Sequence, residues 1–160
     1  MVYSRPMQTC LAVFLATVVA AALPAHGQSK SPTNDYSGMY SFLKEGEFIQ
    51  ITIEEKGDVS GFISRYGDTA ADKGIFLDQF IKEGKSEGAK LNFTTDSVHG
   101  VWFTFEGTFA RGKAKTPDEE GYYLLRGTLT RFNTDAENKA LSQAREVEWQ
   151  SFPRDTSPPQ

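Results

Sequence analysis

The sequence is poor in the residues that build metal centres and covalent catalytic sites. Its 160 residues include one cysteine, Cys10, and two histidines, His26 and His99. Cys10 and His26 both lie in the first 27 residues, which we predict to be removed, so the mature chain would keep a single imidazole. Without cysteine it can form no disulfide, no thiolate nucleophile and no cysteine-containing zinc site. Its stability must come from an apolar core.

A hydrophobic run long enough to cross a bilayer as a helix is also missing. The longest candidate extends from Cys10 to Leu23 and is interrupted only by Thr17, whereas a spanning helix needs about 18 apolar residues or more. Arg5 precedes the run, and Ala25-His26-Gly27 offers small residues for cleavage. Residues 1–27 therefore resemble a secretory signal peptide, with an uncleaved anchor as the alternative. We expect a secreted or periplasmic protein.

Positive charge is scarce in the predicted mature chain. Beyond residue 27, 16 Lys and Arg face 21 Asp and Glu, a net charge of −5. Nucleic acids and anionic bilayers reward a basic surface, so neither is an expected partner. The sequence leaves the oligomeric state open.

What the chain does contain is a series of short alternating segments separated by turn residues. In "FIQITIEE" the isoleucines and the polar residues occupy opposite faces. Turn signals recur about every ten residues, and no crossover helix separates the segments, which favours antiparallel pairing. We predict an all-β domain over residues 36–152, an antiparallel meander barrel or strongly curled sheet of about seven to nine strands. Residues 28–35 would be a flexible leader and 153–160 a disordered tail.

One short helix is predicted near the C-terminus. Asn133-Thr134-Asp135 offers capping side chains, and "AENKALSQA" consists mostly of helix formers, with Leu141 as its apolar contact. The following "REVEWQSF" alternates again and predicts a last strand with Val147 and Trp149 on one face.

Two late segments, "TFEGTFAR" and "LLRGTLTR", resemble each other. If they form a hairpin with Gly107 opposite Gly127, the register follows. Glu106 and Arg126 become diagonal neighbours on one face, within reach of an ion pair. The pairs expected on the core face are Phe105 with Leu129 and Phe109 with Leu125.

The first half resembles the avidin-like barrels of the calycin class, whose architecture lipocalin-like chains share. The likeness lies in "SGMYSFLKEGEFIQITIEEKGDVSGFI", which reads as Gly-x-aromatic, a hairpin, an alternating strand and Gly-x-Val-x-Gly, and in "YYLLRG". It implies a barrel that holds a small ligand in its mouth. The family's first-strand tryptophan is replaced by Tyr40, and its ligand-bonding tyrosine by Ile63, so biotin binding is not inferred. The whole chain also looks like a secreted bacterial β-protein.

His99 is the first candidate for chemistry. Asp96 and Ser97 are its neighbours in "DSVHG", but adjacent residues of an extended chain point to alternate faces, and catalytic triads are assembled from distant segments. The segment is better interpreted as a turn in which Gly100 supplies the unusual backbone angle. His99 stays a weak catalytic candidate at a barrel rim, where loops carry function.

Asp78 is the second candidate, because it lies within the apolar "FLDQF". On a strand it shares a face with Phe76 and Phe80, and a carboxylate buried there could act as a general acid. The alternative is a solvated aspartate on an edge strand. No metal is expected: "DTAADKG" offers Asp68 and Asp72 but lacks the further oxygen ligands of a calcium loop. No cofactor is expected either.

Three functions stay open. The first is a non-catalytic module that binds a small apolar ligand in the barrel mouth. The second is docking of a protein partner on an outer aromatic face, unless the helix around Leu141 covers that face. The third is an acid–base enzyme, a hydrolase or isomerase, that uses Asp78 or His99. The predicted ligand-binding residues are Phe103, Phe105 and Tyr123, and the predicted docking residues are Trp102, Tyr122 and Leu124.

Overall fold

The computed structural model describes Met1 and residues 35–68, 72–134 and 139–154. The predicted signal peptide, apart from Met1, lies outside the described residues, as do residues 28–34 and 155–160 of the predicted leader and tail. Pro32–Gln160 forms one compact unit, separate from Met1–Ser31. All the strands belong to this larger unit.

Eight antiparallel strands follow one another in chain order, and each pairs with the next, which confirms the predicted all-β meander. The number of strands lies within the predicted range. The strands are β1 (Gly38–Ser41), β2 (Phe48–Ile53), β3 (Val59–Tyr66), β4 (Phe76–Glu87), β5 (Lys90–Thr95), β6 (Val101–Arg111), β7 (Tyr123–Thr134) and β8 (Ala140–Gln150).

The sheet curls until its first strand meets the chain after its last strand. Tyr40 and Ser151 form an antiparallel bridge, and the Phe152 N–H donates to the Met39 carbonyl oxygen at 2.8 Å. Part of the curvature arises in β4, which pairs with β3 through its first half and with β5 through its second half. A register shift between Ile81 and Glu83 separates the two halves, and such a bulge bends a strand.

Alternation along the strands places a continuous apolar core inside the curled sheet. Ile49 and Ile51 of β2 are completely buried, as the alternating pattern predicts. Phe105 stacks between Phe93 and Trp149, with ring centroids 5.3 and 4.7 Å away. The core is thus filled largely by aromatic rings, whose burial is the main source of its stability.

The predicted register of β6 and β7 is confirmed: Gly107 stands opposite Gly127, and both expected core pairs are present. A Cβ on Gly127 would lie 2.5 Å from the Gly107 Cα, so the two strands approach where neither has a side chain. The register makes Glu106 and Arg126 diagonal neighbours, as predicted, but Arg126 forms its ion pair with a residue of β8. Arg126 Nε donates instead to Glu148 Oε2 at 2.5 Å, because Glu148 lies directly opposite Arg126 on β8.

The predicted C-terminal helix is also wrong for the residues that the structure describes. Ala140 to Ala144 belong to β8, which pairs with β7 along its whole length; residues 135–138 lie outside the described residues. Helix propensity is a weak local preference, and the cross-strand ladder outweighs it. The predicted last strand is confirmed, with Trp149 buried and Val147 packed against the core.

Candidate functional site

One end of the sheet is reached by the connections after β1, β3 and β5, because alternate connections of an antiparallel meander leave the same end. Polar side chains from several strands meet there beside the apolar core. We call four of them the loop-end cluster: Arg65, Asp68, Gln79 and Arg131.

Gln79 is the fully buried centre of this cluster. Its Oε1 accepts a hydrogen bond from Arg65 Nε at 3.0 Å. Its Nε2 contacts three acceptors, Thr95 Oγ1 at 3.1 Å and the carbonyl oxygens of Asp96 and Val101 at 2.7 Å each. An amide has two N–H hydrogens, so these acceptors share them. Gln79 thereby connects β4 to β5 and β6 and orients the Arg65 guanidinium.

Arg65 points inward from the end of β3, and its side chain is 4% exposed. Nη1 donates to Asp68 Oδ2 at 2.9 Å and to the Tyr66 carbonyl oxygen at 3.2 Å, and the guanidinium lies 5.4 Å from the centroid of the Phe103 ring. Burial lowers the pKa of Arg65, while the charge of Asp68 acts to raise it. Within residues 35–68, 72–134 and 139–154, Nη2 has no hydrogen-bond partner.

Asp68 is shared between two arginines. Its Oδ2 also accepts from Arg131 Nη2 at 3.2 Å, and Arg131 Nη1 donates to Asn133 Oδ1 at 3.2 Å. One carboxylate oxygen is therefore held by guanidinium groups from β3 and β7. The side chains of Asp68 and Arg131 are 37% and 31% exposed, so this half of the cluster faces solvent.

Glu47 is a further carboxylate beside the cluster and, unlike Asp68, it is buried. Its Oε1 accepts from the Tyr66 N–H at 3.0 Å, and its Oε2 accepts from the Lys44 N–H at 3.1 Å. These bonds attach the connection between β1 and β2 to the end of β3. Its negative charge is among those that raise the pKa of Arg65.

His99 lies at the predicted turn, and Gly100 has the expected left-handed backbone (φ 76°). His99 itself is also left-handed, with φ 50°. Its Nδ1 lies 2.9 Å from Asp72 Oδ2, and the side chains of His99 and Asp72 are 57% and 12% exposed. Across the described ranges, no group of three or more His, Cys, Asp or Glu side chains could hold a metal ion.

Asp78 shares a face with Phe76 and Phe80, as predicted, but this is the outer face. Asp78 is exposed, as are both phenylalanines. The burial on which a general-acid role depended is absent. The alternative is right that Asp78 is solvated, but its edge strand is wrong, because β4 lies between β3 and β5.

The three predicted ligand-binding residues belong to the core. Phe103 and Phe105 are 1% exposed and Tyr123 is 7% exposed, so a ligand could reach most of their surface only by displacing neighbours. Phe103, beneath Arg65, is the member of this set in contact with the loop-end cluster. Their role in binding stays a prediction.

The predicted docking residues are half-buried on or near the outer surface. Trp102 stacks on Phe132 with centroids 5.1 Å apart, and Tyr122 lies under the Arg111 guanidinium at 3.4 Å. Leu124 is opposite Gln150 of β8. No helix around Leu141 covers them, since Leu141 is an exposed residue of β8.

Open surface depressions elsewhere do not involve the cluster. One, of about 450 Å³, lies over β4, β5 and β6, between Glu83 and Glu106. Another, of about 680 Å³, lies at the turn between β2 and β3. Of the described residues, none forms a helix long and apolar enough to cross a membrane.

No protein-family model matches the sequence, and no curated protein matches it. Solved structures do. The rhizavidin–biotin complex has a TM-score of 0.56 and 11% identity, and the match covers 78% of this chain and 98% of that one. A second rhizavidin structure has a TM-score of 0.56 and 10% identity, with coverage of 77% and 87%. The structure of apo short afifavidin has a TM-score of 0.52 and 12% identity, and the match covers 72% of this chain and 94% of that one.

These matches confirm that the chain has an avidin-like β-barrel fold, and at such low identity they establish the fold alone. The two replaced family positions are both buried: Tyr40 is 1% exposed, and Ile63 is completely buried. Ile63 brings a hydrocarbon to the place where the resemblance implied a hydroxyl.

Proposed function

We propose that this chain is an exported, non-catalytic module that binds a small molecule at the loop-end cluster. The observation that carries the proposal is the Arg65 guanidinium, buried beside an aromatic core with one nitrogen unpartnered among the described residues. Binding sites in proteins combine apolar surface with a few placed polar groups, and the cluster joins both on a rigid sheet.

Phe103 would provide the predicted apolar contact with the ligand. Its ring lies beneath Arg65, so a ligand that reaches the guanidinium also approaches the edge of the core. Phe105 and Tyr123 would contribute only after rearrangement of their neighbours. The avidin-like fold of the rhizavidin–biotin complex supports a ligand-binding use of the architecture by analogy. Export rests on the predicted signal peptide at residues 1–27.

Docking of a protein partner on the outer face is the second candidate. The observation in its favour is the exposure of Phe80 and Phe76, whose surfaces are 58% and 45% accessible. Phe80 continues a row of outer aromatic rings through Phe62 to Phe48: the Phe80 and Phe62 centroids are 5.9 Å apart, and those of Phe62 and Phe48 are 5.8 Å apart. Apolar surface of this kind is common at protein interfaces.

The first proposal is tested by thermal denaturation of the purified protein against a library of small molecules, together with mass spectrometry of compounds that copurify. Ligands that bind the folded state raise Tm. We expect compounds that raise the Tm of the wild type and have no effect on Arg65→Met. Phe80→Thr, on the outer face, should keep the response.

A library without any stabilising compound, or an equal response of Arg65→Met, would contradict binding at this cluster. Loss of the response in Phe80→Thr but not in Arg65→Met would favour the outer face instead.

A further inference from the structure

We propose that the ligand of the loop-end cluster carries a carboxylate, and that Asp68 occupies the place of that carboxylate until the ligand displaces it. This inference rests on the proposed function and deepens it by naming the chemical class of the ligand. The chain would thus contain its own competitor for the site.

The first support is the way Asp68 is held. A single Oδ2 atom receives Arg65 Nη1 at 2.9 Å and Arg131 Nη2 at 3.2 Å. Guanidinium groups match carboxylates in shape and charge, which makes a pair of arginines a carboxylate site whether the anion is internal or external.

The second support is the position of Asp68 in the chain. β3 ends at Tyr66, so Asp68 belongs to the connection that follows, and its side chain is 37% exposed. It can leave the arginines without breaking a strand ladder. Arg65 cannot leave so easily, because Gln79 holds its Nε from within the core. The anion is therefore the exchangeable partner, and the cation is the fixed one.

The third support is the balance of charge. Arg65 and Arg131 face the carboxylates of Glu47, Asp68 and Asp72. Glu47 is committed to two backbone N–H groups, and Asp72 contacts His99. An additional anion would meet an excess of negative charge, whereas a carboxylate that replaces Asp68 leaves the total unchanged. Displacement is favoured over simple addition for this reason.

Nη2 of Arg65, which has no hydrogen-bond partner among the described residues, gives an external carboxylate an advantage over Asp68. The Asp68 carboxylate engages only Nη1 of this guanidinium. A free carboxylate can orient both oxygens toward the guanidinium and form two parallel N–H···O bonds.

The test compares hexanoate with hexanamide as probes for the wild type and for Asp68→Asn. Binding is measured by isothermal titration calorimetry and by the NMR shift of the Arg65 Nε–H. We expect hexanoate to bind Asp68→Asn at least tenfold more tightly than the wild type. Hexanamide should bind both weakly and equally. Asp58→Asn is the matched control, since Asp58 forms an exposed ion pair with Lys85 at the turn between β2 and β3.

Equal hexanoate affinity in the wild type and Asp68→Asn would overturn the displacement. Hexanamide binding as tight as hexanoate would overturn the carboxylate class and leave the proposed function standing, whereas failure of every library compound would remove both. If Asp68→Asn does not fold, Asp68→Ala is refolded with acetate, acetamide or inorganic phosphate. Recovery with acetate alone supports the inference, and equal or better recovery with phosphate or acetamide contradicts it.

Discussion

His99 and Asp72 lie 27 residues apart in the sequence, and His99 Nδ1 is 2.9 Å from Asp72 Oδ2. This contact joins the turn between β5 and β6 to the connection between β3 and β4, which also carries Asp68. His99 therefore has a structural partner, and its contact with Asp72 links two connections that border the loop-end cluster.

Two replacements of His99 should distinguish the free energy of its contact with Asp72 from the cost of its left-handed backbone. His99→Ala is expected to lower the free energy of unfolding by about 1 kcal/mol, because it loses a partly exposed contact with Asp72. His99→Gly should recover about 1 kcal/mol of that loss, since glycine adopts a left-handed backbone at little cost. Urea denaturation measures both values, and equal stability of the two variants would contradict the strain.

Gly127 should tolerate no side chain. A Cβ there would lie 2.2 Å from the Glu106 carbonyl oxygen and 2.5 Å from the Gly107 Cα. We expect Gly127→Ala to lose about 3 kcal/mol or more, because the two strands must separate. Gly88→Ala is the control: its Cβ meets nothing within 4 Å, so only the left-handed backbone costs about 1 kcal/mol. A Gly127→Ala loss no larger than the Gly88→Ala loss would be incompatible with the close approach.

Replacement of Gln79 should lower the free energy of unfolding far more than replacement of a glutamine outside the core. Gln79→Leu keeps the volume roughly constant but removes the buried acceptor of Arg65 Nε and the amide donor to the Val101 carbonyl oxygen. We expect a loss of about 3 kcal/mol in chemical denaturation. Gln50→Leu on β2 should change stability by about 0.5 kcal/mol or less. If the two substitutions cost the same, Gln79 does not organise the cluster.

The ion pair of Arg126 should be with Glu148 and not with Glu106. A double-mutant cycle of Arg126→Ala and Glu148→Ala should give a coupling of about 0.3–1 kcal/mol, small because both side chains are about half exposed. The cycle with Glu106→Ala should give a coupling near zero. A larger coupling to Glu106 would restore the diagonal pair that the sequence predicts.

The free energy of unfolding should decrease at alkaline pH, where Tyr40 loses its proton on unfolding. Burial raises the pKa of Tyr40 well above its usual value of 10.0, and burial raises the pKa of Tyr123 in the same direction. At a pH between the unfolded-state and folded-state pKa values of Tyr40, the folded state binds more protons than the unfolded state. The free energy of unfolding is therefore highest below about pH 10 and decreases above it.

Tyr40→Phe should reduce this alkaline decrease. At neutral pH it should cost about 1 kcal/mol, because the Tyr40 hydroxyl donates to the Tyr36 carbonyl oxygen at 2.7 Å. The measurement is urea denaturation from about pH 8 to about pH 11. An identical pH profile in the variant would show that Tyr40 is not responsible.

Parts of the loop-end cluster could have been predicted. In "VSGFISRY", Arg65 has the same phase as Val59 and Ile63, which lie inward, so the alternation already places it toward the core. The phase of "FLDQF" is misleading, because Phe76 and Phe80 make the outer face look apolar while Gln79 points inward. Hydrophobicity alone favours the wrong face there. The partners of Gln79 come from β3, β5 and β6, and no local pattern connects them.

The antiparallel meander, the inward faces of β2, β6 and β7 and the register of β6 with β7 can be predicted from the sequence alone. Alternation with period two and the matched Gly-Thr segments are local properties that any strand pairing must respect. The local pattern does not predict that residues 140–144 extend β8, that Arg126 pairs with Glu148, or that Asp68 lies between Arg65 and Arg131. These outcomes depend on contacts between segments distant in the chain, whose free energies exceed the local preferences of the residues involved.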